Sequence, residues 1–225
     1  MLKFIQKAAG QMTSSGGGAA RILWEPPQTD SAQFAVVPGI LRTRVGFAGG
    51  TKPNPTYTSL GDYTETVDVE YDASIVSYEK LLDLFWTGHN PTVPHKRQYM
   101  SAIFYYDEDQ KQLAERTMKE RQPSYNAVIQ TKILPVGKFY EAEDYHQKYL
   151  LRNHRLLFKS LGLDGKQLIH SHVAAKLNGY CGGYGDPIRF EKESVNWGLT
   201  EGELGLVRSI LDGTGGSMPH ASCGL

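Results

Sequence analysis

Residues 63–89, "YTETVDVEYDASIVSYEKLLDLFWTGH", change their hydrophobic period partway along. In 63–72, alternation sets Glu65, Val67, Val69 and Tyr71 on one face and Thr64, Thr66, Asp68 and Glu70 on the other, which is the period of a β-strand. Beyond Ser77, the residues Tyr78, Leu81, Leu82, Phe85 and Trp86 recur at i, i+3, i+4, i+7 and i+8. That is the stripe of an amphipathic helix, and Ser77 is its N-cap. A strand running into a helix indicates a mixed architecture if the pattern continues on both sides.

It does. Residues 19–25, 40–48, 100–107 and 127–136 read as further strands, while 108–122 and 141–150 read as helices. The order predicts an α+β domain, a mixed sheet with packed helices. From about residue 151 the texture changes to two short helical patterns, the glycine-rich run "NGYCGGYGD", a last helix near 200–211 and a loose glycine-rich end. The expected organisation is a flexible tail over 1–18, the α+β domain over 19–150, and over 151–225 a helical insertion and a mobile cysteine-bearing segment packed on the core. The tail has Lys3 and Lys7 and no acid before Glu25, so a mitochondrial presequence is the alternative to a frayed end. The corresponding locations are the mitochondrion and the cytoplasm.

Composition narrows the partners. The 225 residues are 40% hydrophobic and 21% charged with formal net charge +0, so nothing electrostatic calls for nucleic acid. No apolar run approaches the roughly 18 residues of a membrane span. Only two cysteines, Cys181 and Cys223, are present, too few for a secreted disulfide framework. A soluble monomer is expected. His170 and His172 stand near Cys181, yet an i, i+2 helical pair shares no face and no ligand set is complete, so no metal is expected. "GYCGGYGD" lacks a lysine at Walker spacing, which argues against nucleotide binding.

Two features carry chemistry. Glu65 shares a face with valines, so its carboxyl either sits at the strand's wet end or is desolvated and suited to proton donation. In "GGTKPNPTY" (49–57), Pro53 and Pro55 stiffen the loop that presents Tyr57 just before the Glu65 strand.

The motifs "VGFAGGTKPNPTY", "VEYDASIVSYEKLLDLFWTGHNPT", "QYMSAIF", "FYEAEDYHQKYL" and "NGYCG" together resemble the peptide methionine sulfoxide reductase A family, from about residue 36 to 150 and again at 178–182. The resemblance implies that family's fold, with a ferredoxin-like core, and a pocket for a methyl sulfoxide. It implies that Tyr57 and Tyr99 hydrogen-bond the sulfoxide oxygen and that Glu65 is the general acid that protonates it. It implies that Trp24, with Leu23 in the place of a phenylalanine, packs on the substrate methyl. Cys181 matches a resolving cysteine, and Asp144 and His146 stand behind the pocket. No bound cofactor is implied; the substrate would be methionine sulfoxide, free or in proteins, and the reductant thioredoxin or a small dithiol.

The departures are as informative. Aligned on Trp24, the family's nucleophilic cysteine falls at Ile22, within Arg21, Ile22, Leu23, Trp24 and Glu25. A hydrocarbon side chain has no lone pair to give. "EPPQTD" (25–30) also displaces the helix start that would favour a thiolate. Pro94 replaces an acidic residue five places before Tyr99, and Tyr63 takes a histidine's place. Three readings remain open: a reductase in which Cys181 attacks and Cys223 resolves, a degenerate binder of oxidised methionine or a similar methylated group, and a thiol-independent enzyme using Glu65 as acid or base. The helices of 151–177 either pack on the core or cover the pocket mouth.

Overall fold

A computed structural model describes residues 17–23 and 27–213. Its centre is a six-stranded sheet in the order β5-β4-β1-β3-β2-β6, with β1 Gly17–Leu23, β2 Ile40–Ala48, β3 Thr64–Asp72, β4 Ala102–Tyr105, β5 Lys132–Pro135 and β6 Tyr140–Glu141. Neighbours are antiparallel except β4 and β5, so the sheet is mixed and the fold α+β. The helices of the core are α1 Pro27–Ala35, α2 Tyr78–Gly88 and α3 Glu108–Arg121. They are followed by α4 Tyr149–Asn153, α5 Arg155–Leu161, α6 Gly165–His170, α7 His172–Cys181, α8 Pro187–Ser194 and α9 Glu201–Gly213.

The 63–89 reading survives with sharper edges. In α2, Ser77 accepts a hydrogen bond from Lys80 N, and Tyr78, Leu81, Leu82, Phe85 and Trp86 are buried. They meet Val67, Val69 and Tyr71 of β3 and Ile103 of β4 in the main core. Trp86 also donates to Thr117 Oγ1 of α3 at 3.0 Å, so its polar edge is matched. β3 departs from simple alternation in one respect: Thr64 to Val69 are buried on both faces. The charged face is covered rather than wet. Arg44 bonds to Asp68 and reaches Glu141 at 3.1 Å, with the Phe139 ring lying against its guanidinium and Tyr106 donating to Asp68 at 3.1 Å.

A second core forms among the later helices. Leu151, Leu157, Leu161, Leu168, Leu177, Tyr180, Phe190, Trp197 and Val207 pack together with Cys181. It is joined to the sheet side through α7, whose Gly179 approaches Ala32 of α1 and Val36 just beyond it. The region 151–177 is therefore packed structure.

Two expected elements differ. Residues 127–131 do not join the strand, because Gln122 pins them as a loop, accepting from Ile129 N at 2.9 Å and donating to Ala127 O at 3.0 Å. The expected helix over 141–150 is replaced by β6, a 3₁₀ turn at Asp144–His146 and the start of α4. The cause is Gln147. Its buried amide accepts from Val45 N at 3.0 Å and donates to Val45 O at 2.7 Å, satisfying the edge of β2 as a strand would. This edge is approached closely at Gly46, where a Cβ would stand 2.3 Å from both the Phe139 ring and Tyr140 O.

Lys148 follows, in a left-handed conformation at φ 53° and with only 1% of its surface exposed. Its ammonium donates to Thr43 O. Burial, aided by Arg44, pushes its pKa from 10.5 down to about 7. Between those values the unfolded chain holds more protons than the folded one, so this group makes stability rise with pH from about 7 to 10.5 and exacts its full penalty below 7. Denaturation of wild type and Lys148→Met across that window should show the wild type gaining on the variant, by up to about 1.4 kcal/mol per pH unit. A pH-independent difference would refute this.

Candidate functional site

The loop after β2 is built to hold Tyr57. Gly49 turns the chain at φ 77°, with its Cα side against the Phe104 ring, a place no Cβ fits. The Asp62 carboxylate then closes the loop, accepting from Thr51 N and Thr51 Oγ1 at 2.9 Å and from Lys52 N at 3.3 Å. Those hydrogen bonds, Thr51 first, hold its pKa down at about 2. Lys52 Nζ completes the clasp on Ser59 O at 2.7 Å.

The turn Arg97–Tyr99 is the hub of the site. Arg97 donates to Gly49 O at 2.7 Å and Asp62 O at 2.9 Å, tying the turn to the loop, and Thr64 Oγ1 donates to Arg97 O at 2.9 Å, tying it to β3. The next two residues then reach the predicted site. Gln98 Nε2 donates to Glu65 Oε1 at 2.7 Å, and the Tyr99 hydroxyl lies 3.5 Å from that of Tyr57. Glu65 is 3% exposed and stands opposite Phe47 in the β2–β3 register, so its carboxyl is desolvated rather than at a wet strand end. Tyr57, Tyr99 and Glu65 are thus gathered around one turn.

The far wall comes from the 3₁₀ turn at Asp144–His146. Glu143 accepts from Tyr57 N at 2.9 Å, and the His146 ring packs on Tyr57 with centroids 4.5 Å apart. The Tyr145 ring also packs on His146, with centroids 4.2 Å apart. Desolvation lowers the His146 pKa, against the pull of Glu143, which favours a neutral ring. Asp144 turns away to pair with Arg152 at 2.7 Å. Gln98, Glu143 and Tyr145 lie within the motifs "QYMSAIF" and "FYEAEDYHQKYL", but nothing in the sequence assigned them a part in the site.

The thiol side of the site reads differently. Trp24 and Cys223 lie outside the described residues. The backbone of Ile22 and Leu23 is in β1, where Ile22 stands opposite Val67 and Leu23 opposite Ala102. Cys181, expected on a mobile segment, is instead the last residue of a helix, 6% exposed within the helical core, and its carbonyl meets His154 Nε2 at 3.3 Å. Burial pushes its thiol up to about 12. Tyr57 belongs to a separate cluster with Val45, Phe47, Leu60 and Tyr63. A neutral, desolvated thiol in another core is a poor nucleophile.

Elsewhere, His89 caps α2 by bonding Phe85 O and Ser101 Oγ, both at 2.8 Å, and His172 bonds Leu41 O at 2.8 Å. Among the described residues no group of three or more His, Cys, Asp or Glu side chains is placed to hold a metal ion. No helix among them is long and apolar enough to cross a membrane.

Comparison with known proteins adds the lineage. Residues 29–183 match the family "Peptide methionine sulfoxide reductase", and residues 162–212 match "Selenoprotein methionine sulfoxide reductase A, helical domain". The first match begins beyond position 22, while the second falls on the helices after the sheet. The chain is 45% identical over 170 residues to a Drosophila melanogaster peptide methionine sulfoxide reductase, covering 74% of this chain and 69% of that one. It is 42% identical over 132 residues to peptide methionine sulfoxide reductase MsrA of Pasteurella multocida, covering 54% and 76%. Among solved structures, methionine sulfoxide reductase A of Corynebacterium diphtheriae superposes with TM-score 0.57 at 31% identity, over 63% of this chain and 77% of that one. With the mixed sheet, the two facing phenols and the buried acid in place, the chain belongs to the peptide methionine sulfoxide reductase family.

Proposed function

We propose that, within the methionine sulfoxide reductase A class of function, this chain retains the recognition of methionine-S-sulfoxide, free or in peptides, and lacks the thiol step in its own described residues. What supports this reading is the pairing of two close hydroxyls and a nearby buried acid with an isoleucine at the position that the resemblance gives to the nucleophile. Tyr57 and Tyr99 offer two hydroxyls 3.5 Å apart, and Glu65 is held beside them through Gln98. A sulfoxide oxygen is a strong acceptor, so two phenols and a carboxyl able to carry a proton to it are matched to it. Ile22 occupies the position from which a cysteine would attack, and Cys181 is locked away as a neutral thiol.

Calorimetry with methionine-S-sulfoxide tests recognition, and a dithiothreitol-coupled assay tests turnover. The wild type should bind the sulfoxide, not methionine, and show no turnover. Tyr57→Phe and Glu65→Gln should each weaken binding about tenfold, the scale of one buried hydrogen bond to a strong acceptor. Absence of sulfoxide binding would remove the proposal. Turnover abolished by Cys181→Ser would establish a relocated thiol, fed by thioredoxin or a small dithiol and resolved by Cys223. Turnover that survives Cys181→Ser but is lost in Glu65→Gln would establish thiol-independent chemistry.

A further inference from the structure

Of the three neighbouring rings Tyr57, His146 and Tyr145, only Tyr145 is largely exposed. Its exposure is 55%, whereas Tyr57 is half-buried, and the His146 ring stands 4.5 Å from Tyr57 and 4.2 Å from Tyr145. The Tyr145 hydroxyl makes no hydrogen bond among the described residues. Desolvation raises its pKa, with Glu143 and Tyr57 adding to the rise. The ring is also held in place. The 3₁₀ turn that carries it is closed by His146 N on Glu143 O and Gln147 N on Asp144 O, both at 3.0 Å, and Arg152 clamps Asp144 O at 2.8 Å. An aromatic surface fixed by its neighbours, yet left uncovered beside a binding cluster, offers a stacking platform at little entropic cost.

We infer that Tyr145 is a specificity-determining residue that selects peptide-bound methionine sulfoxide by stacking with a flat side chain next to the oxidised methionine. Free methionine sulfoxide carries no such neighbour and gains nothing from the platform. The inference rests on the sulfoxide-recognition reading and deepens it by naming the preferred substrate as a peptide with an aromatic residue flanking the sulfoxide.

Calorimetry with three ligands tests it: free methionine-S-sulfoxide, a blocked Gly-Met(O)-Gly peptide and a blocked Phe-Met(O)-Phe peptide. The wild type should bind the phenylalanine-flanked peptide about three- to tenfold more tightly than the glycine-flanked one, the scale of one aromatic pair. Tyr145→Ala should bring the ratio of affinities for the two peptides close to one, while Tyr145→Phe should keep it. An unaltered preference in Tyr145→Ala, or equal weakening for all three ligands, overturns the inference and leaves sulfoxide recognition standing. Loss of all binding in the wild type overturns both.

Discussion

Replacing Ile22 by cysteine should turn a sulfoxide binder into a dithiothreitol-dependent reductase. Ile22 stands opposite Val67 in the β1–β3 register, and Glu65 lies two residues along from Val67, on the same side of the sheet by strand alternation. Diagonal neighbours of this kind are about 7–8 Å apart between backbones. The new thiolate would attack the sulfoxide sulfur while Glu65 delivers a proton to the oxygen. Methionine leaves as the reduced thioether, and the cysteine carries the oxygen away as a sulfenic acid. Dithiothreitol then displaces water to form a mixed disulfide, and its second thiol frees the cysteine by closing the cyclic disulfide. Adding Glu65→Gln to Ile22→Cys should lower the rate by about 10² or more, the usual contribution of a positioned general acid. An Ile22→Cys protein that binds the sulfoxide and stays inert would mean that β1 does not present position 22 to the pocket.

Phe190→Ala should unlock the helical core and expose Cys181. Phe190 is 0% exposed and forms an aromatic triad with Tyr180 and Trp197, with centroids 5.2 and 5.8 Å away, and Tyr180 and Trp197 are themselves 6.0 Å apart. Removing such a ring leaves a cavity and costs about 3–5 kcal/mol. Tyr180 immediately precedes Cys181 at the end of α7, so the loss falls on the packing that buries the thiol. In a Cys223→Ser background, Cys181 should react with a disulfide reagent only slowly in the wild type. Phe190→Ala should raise that rate by two to three powers of ten through local opening. Rapid labelling of the wild type would show that Cys181 is available, and would restore it as a candidate nucleophile.

Local periodicity was enough for the elements that pack through one repeating stripe. The alternation of 63–72 and the helical stripe of 78–86 emerge as β3 and α2, because strand and helix each commit their apolar residues at a spacing that any solvent-facing element must obey. Identity at a single position was legible for the same reason: whatever the fold does, residue 22 is an isoleucine. The segment 141–150 escaped this reading. Its helix-like composition is overruled by long-range interactions, the pairing of β6 with β2 and the Gln147 amide on Val45, which no window of local sequence contains.

What the sequence alone determined is the family's mixed sheet and the identity of the residues, Ile22, Tyr57, Glu65 and Tyr99 among them, on which the proposed site rests. Tertiary structure decided which side chains meet those residues, since Gln98 reaches Glu65 and Glu143 reaches the Tyr57 amide only when turns distant along the chain come together. It also decided the state of Cys181, because a thiol's pKa depends on what surrounds it, and here a hydrocarbon core surrounds it.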